Sequence, residues 1–333
     1  MTVIYAIIIF CLLIFVHEFG HFITAKKCGV KVNEFALGMG PAIWSKQKGE
    51  TKYSLRILPI GGYCAMEGED EDSDDERAFN NQPAWQRAIV LAAGSIMNLI
   101  TCIVLLIVIG LWMGTSTTTI DQVTTDSPAA KAGIEAGDTI LAVNDEKISE
   151  WGDLLTIMSD KDLHTADITV DRDGEEMTFT TELKYDKEQG RNMIGVVSRT
   201  EHSVVKAVGY GFSNTGSMTV MMYRVLKQLF AGDVSVKELS GPVGIVYAVN
   251  ETAKAGIMYV IYLAALLSLN LAIINMLPFP ALDGGRLLFL VIRLFTGKRV
   301  TDAMEAKFHF AGLMLLFALM IYVTYNDVLK FIL

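Results

Sequence analysis

Four stretches of this chain are apolar over a length that crosses the ~30 Å hydrocarbon core of a bilayer: Val3 to Ala25, Ala88 to Met113, Ile257 to Leu277, and Phe308 to about Tyr325. Between them the pattern changes character. Phe35 to Trp44 and Lys52 to Met66 read as two extended runs around a polar turn at Gln47-Lys48-Gly49-Glu50, because Gly38, Gly40, Pro41, Pro59, Gly61 and Gly62 exclude a regular helix. Short strands are expected at Thr118 to Val123, Thr139 to Val143, Asp167 to Arg172 and Met177 to Thr181, with a helix at Trp151 to Met158. Val204 to Phe230 mixes apolar and small polar residues and reads as an amphipathic helix on the outer leaflet rather than a fifth span, broken at Ser240-Gly241-Pro242-Val243-Gly244.

The pattern predicts a polytopic α-helical membrane protein with four transmembrane helices, a membrane-associated β-loop and one extracytoplasmic α+β domain. The expected divisions are 1–25, the first span; 26–87, the β-loop and an acidic loop; 88–113, the second span; and 116–200, the exported domain. Residues 201–256 are expected to form membrane-surface helices, 257–285 the third span with its end motif, 286–307 a cytoplasmic loop, and 308–333 the fourth span. The first span is expected to stay in the mature chain, since no basic residue precedes its apolar run and no small-residue cleavage site follows it.

Charge then sets sidedness. Nine Lys and Arg residues lie between spans one and two, from Lys26 to Arg87, and five between spans three and four, from Arg286 to Lys307, so both segments are expected in the cytoplasm. Residues 116–200 carry 18 acidic against 8 basic residues, as suits a translocated domain. The net charge of −9 and the lack of a basic stripe exclude nucleic acid as a partner. Glu67 to Glu76 holds eight acidic residues in ten and reads as a solvated, mobile tract. Cys11 and Cys102 lie in spans and Cys28 and Cys64 on the reducing side, which is not a disulfide framework.

The chemistry sits inside the first span. His17-Glu18-Phe19-Gly20-His21 places two imidazoles at i and i+4 on one helix face, where they can bind one Zn²⁺ with Glu18 beside the water that the metal would activate. Such a site needs a third ligand and an open position. Asp283 is the outstanding candidate, in Asn275-Met276-Leu277-Pro278-Phe279-Pro280-Ala281-Leu282-Asp283-Gly284-Gly285. There the prolines end the helix, the paired glycines permit a sharp turn, and a carboxylate at membrane depth is costly enough to imply a function. Spans one and three run in the same direction, so the two motifs can meet at similar depth. Gly94 and Asn98 share a face of the second span and read as a close-packing surface.

Two resemblances follow. Asp126-Ser127-Pro128-Ala129-Ala130-Lys131-Ala132-Gly133 through Gly137-Asp138-Thr139-Ile140-Leu141-Ala142-Val143-Asn144 resembles bacterial PDZ domains, which accept an extended peptide as an added strand beside a helix, or else block access sterically. The whole chain is similar to the site-2 protease family of intramembrane metalloproteases, in its RseP-like branch with a single PDZ domain. The likeness rests on the HExxH motif, the Asn-x-x-Pro-x-Pro-x-Leu-Asp-Gly-Gly segment, the PDZ-like region and Gly-Pro-Val-Gly. It implies that His17, His21 and Asp283 bind zinc, that Glu18 is the general base, and that Asn275, with Pro278 and Pro280 beside it, meets the substrate backbone. It also implies that the β-loop clamps substrate as a strand, and that cleavage falls within or near the transmembrane segment of a membrane-anchored protein. Anti-sigma factors, residual signal peptides and pheromone precursors are the substrate classes, and a bacterial plasma membrane is the place. One departure is visible: the family's Gly-Pro-x-x-Asn appears here as Gly94-Ser95-Ile96-Met97-Asn98.

Two rivals compete with a protease. A membrane-anchored PDZ adaptor or inactive relative would tolerate Glu18→Gln and His21→Ala. A metal transporter would need a ligand path across the membrane, and His164, His202 and His309 show no such alignment.

Overall fold

The computed structural model describes residues 2–69, 73–187, 189–233, 235, 240–296 and 302–331. In chain order the helices are α1 (Thr2–Lys27), α2 (Ala84–Met113), α3 (Pro128–Ala132), α4 (Trp151–Met158), α5 (Val204–Ala231), α6 (Pro242–Ala255), α7 (Ile257–Asn275), α8 (Asp283–Thr296) and α9 (Asp302–Phe331). The strands are β1 (Val32–Lys48), β2 (Thr51–Met66), β3 (Thr115–Val123), β4 (Thr139–Val143), β5 (Glu146–Lys147), β6 (Thr165–Arg172), β7 (Glu175–Glu182), β8 (Lys184–Asp186), β9 (Arg191–Met193) and β10 (Val196–Glu201). They fall into two units, residues 1–107 with 211–333, and residues 108–210.

In the first unit α1, α2, α7 and α9 are long and apolar enough to cross a membrane. They coincide with the four expected runs. With no hydrophobic drive between helices in lipid, close approach depends on small residues. Gly20 supplies one such contact, since a Cβ there would stand 2.5 Å from the carbonyl oxygen of Ala93 on α2. The Ser268 hydroxyl on α7 donates to the Asn98 carbonyl at 2.7 Å and ties α7 to the same helix.

The expected β-loop is a pair of long antiparallel strands, β1 and β2, that fold over on themselves. Phe35 stands opposite both Tyr53 and Cys64, and Leu37 opposite both Leu55 and Gly62, so two arms of β2 flank the first half of β1. The bend at Gly38 requires glycine: its φ is +87° and a Cβ would meet the Leu58 oxygen at 2.5 Å. The base of the hairpin packs into an apolar cluster with Ala25, Phe79, Val90 and Leu290.

Two features depart from the sequence reading. The described part of the acidic tract is tied down: Glu67 accepts from Asn33 at 2.8 Å and Ser73 at 2.6 Å, Asp75 pairs with Lys31 at 3.1 Å, and Glu69 pairs with Arg286 at 2.5 Å. Cations distant in sequence meet these carboxylates, which a local charge count does not reveal. Residues 70–72 of that tract lie outside the described residues, as do 297–301 of the expected cytoplasmic loop and 332–333 at the end of the expected fourth span. Helix α5 has the expected length, yet it runs alongside α2, with Thr215 Oγ1 3.7 Å from Cys102 Sγ and a Cβ on Gly211 placed 2.5 Å from Ile107. Gly211 and Thr215 thus pack on α2, a contact that composition does not show, while a Cβ on Gly209 or Gly216 of the same helix would meet nothing within 4 Å.

The second unit is a sheet ordered β10-β3-β4-β6-β7, with β5 on β4 and a separate β8-β9 pair. Ile120, Ile140, Val143, Leu154, Ile168 and Val170 form its core. Ser127 caps α3 by accepting from the Ala130 amide at 3.2 Å, and Asp153 holds the start of α4 by accepting from the Glu150 amide at 3.0 Å. Asp138, only 1% exposed, takes Nε and Nη2 of Arg172 on its two oxygens, both at 2.7 Å, and the Glu135 amide at 2.9 Å. Burial opposes ionisation of Asp138. The Arg172 guanidinium and the Glu135 amide outweigh burial and hold its carboxyl below the usual carboxylate range.

Candidate metal centre

Helix α1 brings His17 and His21 one turn apart to the inside of the first unit, where they are 9% and 7% exposed. Asp283 reaches them from the far end of the sequence. Helix α7 stops at Asn275, and Pro278 and Pro280 lack the backbone donors to continue it. The turn into α8 falls on Ala281, whose φ of +76° is left-handed and unusual for a residue with a Cβ. Gly284 and Gly285 therefore differ from expectation. Both lie in the first turn of α8, and their role is close approach: a Cβ on Gly284 would meet the Met276 oxygen at 2.3 Å, and one on Gly285 the Phe279 oxygen at 2.2 Å.

Three ligand atoms converge. His17 Nε2 lies 3.2 Å from Asp283 Oδ2, His21 Nε2 lies 3.4 Å from the same oxygen, and the two Nε2 atoms are 3.3 Å apart. Ligands bonded to Zn²⁺ at about 2.0–2.1 Å in a tetrahedron stand about 3.3 Å from one another, so this triangle has the dimensions that the metal requires. Asp283 Oδ2 is buried and lacks a well-formed hydrogen bond, as fits an oxygen reserved for a cation. The donor set of two imidazole nitrogens and one carboxylate oxygen fits Zn²⁺.

The surrounding groups orient these side chains. His21 Nδ1 is 2.8 Å from the Val90 carbonyl, which accepts its N–H and leaves Nε2 with a lone pair for metal. The amide of Asn98, fully buried, stands 3.4 Å from His17 Nδ1, and its Oδ1 lacks a partner. A half-turn of that amide places Oδ1 where it accepts the His17 Nδ1 proton, which satisfies the orphan and frees Nε2 for metal. Gly94 lies beneath both rings, since a Cβ there would be 2.4 Å from His21 Nε2 and 2.6 Å from His17 Cε1. The packing face expected of Gly94 and Asn98 thus meets the histidines themselves. Spacing shows that the two residues share a face and is silent on what covers it.

The open side of the triangle is a cavity of about 240 Å³ lined by Ile14, His17, Glu18, Leu271, Asn275 and Asp283, among others. The Cys64 amide is directed at the Glu18 carboxylate, and a Cβ on Gly62 would be 3.4 Å from Glu18 Cγ, so β2 passes directly behind this side chain. Asn275 Nδ2 is 3.3 Å from His17 Nε2. Pro278 is exposed and, like Pro280, lies in the turn that leads to Asp283. Ala281 and His309 were not singled out for the site by sequence reasoning, and neither carried a signal; Asn98 was expected as a packing residue of the second span.

Sites of this composition, buried among apolar helices, define the class of membrane-embedded zinc metallopeptidases. Residues 5–319 match the model of peptidase family M50, and the chain belongs to that family. A Clostridium acetobutylicum protein that carries a provisional zinc metalloprotease name is 37% identical, over 98% of this chain and 97% of its own length. The regulator of sigma-W protease RasP of Bacillus subtilis is 33% identical over 98% of each chain, and the zinc metalloprotease RasP of Geobacillus kaustophilus 31% over 100% and 99%. The protein is an intramembrane zinc metalloprotease.

Proposed function

We propose that the protein hydrolyses peptide bonds within or near the transmembrane segments of membrane-anchored substrates, with His17, His21 and Asp283 as zinc ligands and Glu18 as general base. The observation that carries this reading is the 3.2–3.4 Å ligand triangle opening on the cavity that Glu18 also lines. Zn²⁺ held there would polarise the scissile carbonyl and lower the pKa of a bound water toward ~7. Glu18 takes the proton of the attacking water and returns it to the leaving nitrogen. Its place against β2 fixes the carboxylate on the cavity side. Asn275 offers an amide donor to a substrate carbonyl, and the Pro278–Pro280 turn leads into Ala281 and Leu282, which line the same cavity. A substrate helix must lose its own hydrogen bonds before it can enter, and the β1–β2 hairpin next to Glu18 is suited to receive it as an extended strand.

The second unit is read as the PDZ domain, outside the cytoplasm, and the residue divisions are those drawn from the sequence. Supporting it, β10 ends the sheet and, with α4, lines a groove of about 250 Å³ that includes Trp151, Leu155, Met158 and Ser198, which suits an extended peptide. Lys26 and Lys27 at the end of α1 support an active site toward the cytoplasmic face of a bacterial plasma membrane. Substrates are taken to be anti-sigma factors, residual signal peptides or pheromone precursors, as the resemblance implies. The reading is tested with a reporter carrying one transmembrane segment and the same segment fused to a soluble protein without its membrane context. Cleavage confined to the membrane-inserted form is expected, and equal cleavage of both would overturn it.

A further inference from the structure

We propose that His309 on α9 is a positioning residue for the metal centre, holding the left-handed turn that delivers Asp283; this rests on the reading of Asp283 as a ligand. His309 Nδ1 accepts the backbone N–H of Ala281 at 2.9 Å, across 28 residues of sequence. That amide belongs to the residue at φ +76°, where an L side chain is strained and a surrounding structure must hold the conformation. Asp283 follows two residues later. The ring is only 16% exposed and packs at 5.7 Å against Phe289 of α8, so it has little freedom to turn away from the amide.

Helix α9 grips α8 at a second point. Glu305, one turn before His309, pairs with Arg293 in the last turn of α8 at 2.6 Å, and its other oxygen stands 3.6 Å from His309 Nε2. Since Nδ1 accepts from Ala281, the neutral ring carries its proton on Nε2, facing that carboxylate. Gly312 brings α9 against the turn itself, since a Cβ there would lie 2.5 Å from the Pro280 oxygen. The helix that begins with Asp283 is thus fixed at its start by His309 and at its end by Glu305. Neither residue touches the three ligand atoms. Their effect is on where the carboxylate stands.

The test uses the full chain in detergent, with zinc affinity read by chelator competition and ligand geometry by the visible absorption of the cobalt-substituted protein. His309→Phe keeps the ring and removes the acceptor; His309→Asn places an oxygen near the Nδ1 position; Asp283→Ala is the control. Outer partners of ligands are worth about ten- to a hundredfold in metal affinity, and His309→Phe is expected to lose that much while His309→Asn stays near wild type. Ala281→Gly, which removes the strain at this φ, is expected to restore part of the affinity of His309→Phe and to sharpen its cobalt spectrum, a rescue that simple packing would not give. The proposal is overturned if His309→Phe binds zinc like wild type while Asp283→Ala does not. It is equally overturned if His309→Asn binds zinc about tenfold or more weakly than wild type, a comparison that stands even where the Phe variant fails to assemble. If Asp283→Ala itself binds zinc like wild type, the reading of the metal site fails instead.

Discussion

Gly94 and His21 leave no room between them, where α2 passes beneath the imidazoles proposed to hold zinc: a single added carbon on Gly94 would fall 2.4 Å from His21 Nε2. An added Cβ is fixed by the backbone, so relief must come from the imidazoles or from the helices that carry them. Gly94→Ala must push the rings or the helices apart. The variant is expected to insert and fold with unchanged helix content, and to lose zinc affinity by about tenfold or more, measured by chelator competition.

Asn98 stands beside the other proposed ligand, His17. The Asn98 amide stands 3.4 Å from His17 Nδ1, and with the oxygen turned to that nitrogen it would fix the tautomer that leaves Nε2 free. Asn98→Ala is expected to lower zinc affinity about ten- to a hundredfold. Asn98→Asp, which keeps an acceptor there, should lose less. Titration of both variants with zinc checks the order.

Metal removal should also be felt as stability. A ligand bound only by the folded state stabilises it by about 4 kcal/mol when present at a thousand times its dissociation constant. Chelation is expected to lower the melting temperature of wild type and of Glu18→Gln alike, because Glu18 is not a ligand. In His17→Ala the chelator should have little effect.

In the second unit the pH dependence follows from Asp138. Its carboxyl titrates below the unfolded value of about 3.9, so its contribution is fully present above that pH and is lost as pH falls through the lower, folded pKa. Hydrogen-exchange protection in residues 108–210 of the whole protein, taken relative to the intrinsic exchange rate at each pH, should therefore fall in acid. In Arg172→Leu burial opposes ionisation with less to offset it, so the acid loss should shrink or reverse sign. The same substitution should cost about 3 kcal/mol near neutral pH, the lower end for a broken buried pair.

Much of this was legible from residue order because a bilayer imposes a length rule. The four apolar runs became α1, α2, α7 and α9, and the HExxH spacing put both imidazoles on one face. Helix α4 was readable to the residue, since Trp151–Met158 lies between a capping acid and a polar turn. Asp283 stood out as a lone carboxylate after two prolines. What escaped was set by tertiary contact. Ala281 takes a backbone conformation that its residue type disfavours, and its amide is bonded by His309 of α9, 28 residues away. The three-residue strands β8 and β9 carry too few residues to show a period of two. The acidic tract looked free because Lys31, Asn33 and Arg286 are remote in sequence.

The central claim is that Glu18 moves the proton at a zinc held by His17, His21 and Asp283. It is tested most directly by measuring zinc content and cleavage of a single-span membrane reporter side by side for wild type and Glu18→Gln. The account predicts about one zinc per chain in both, as a single site of three protein ligands holds, with cleavage by wild type alone. Cleavage that survives in Glu18→Gln, or a wild type that cleaves without zinc, would contradict it.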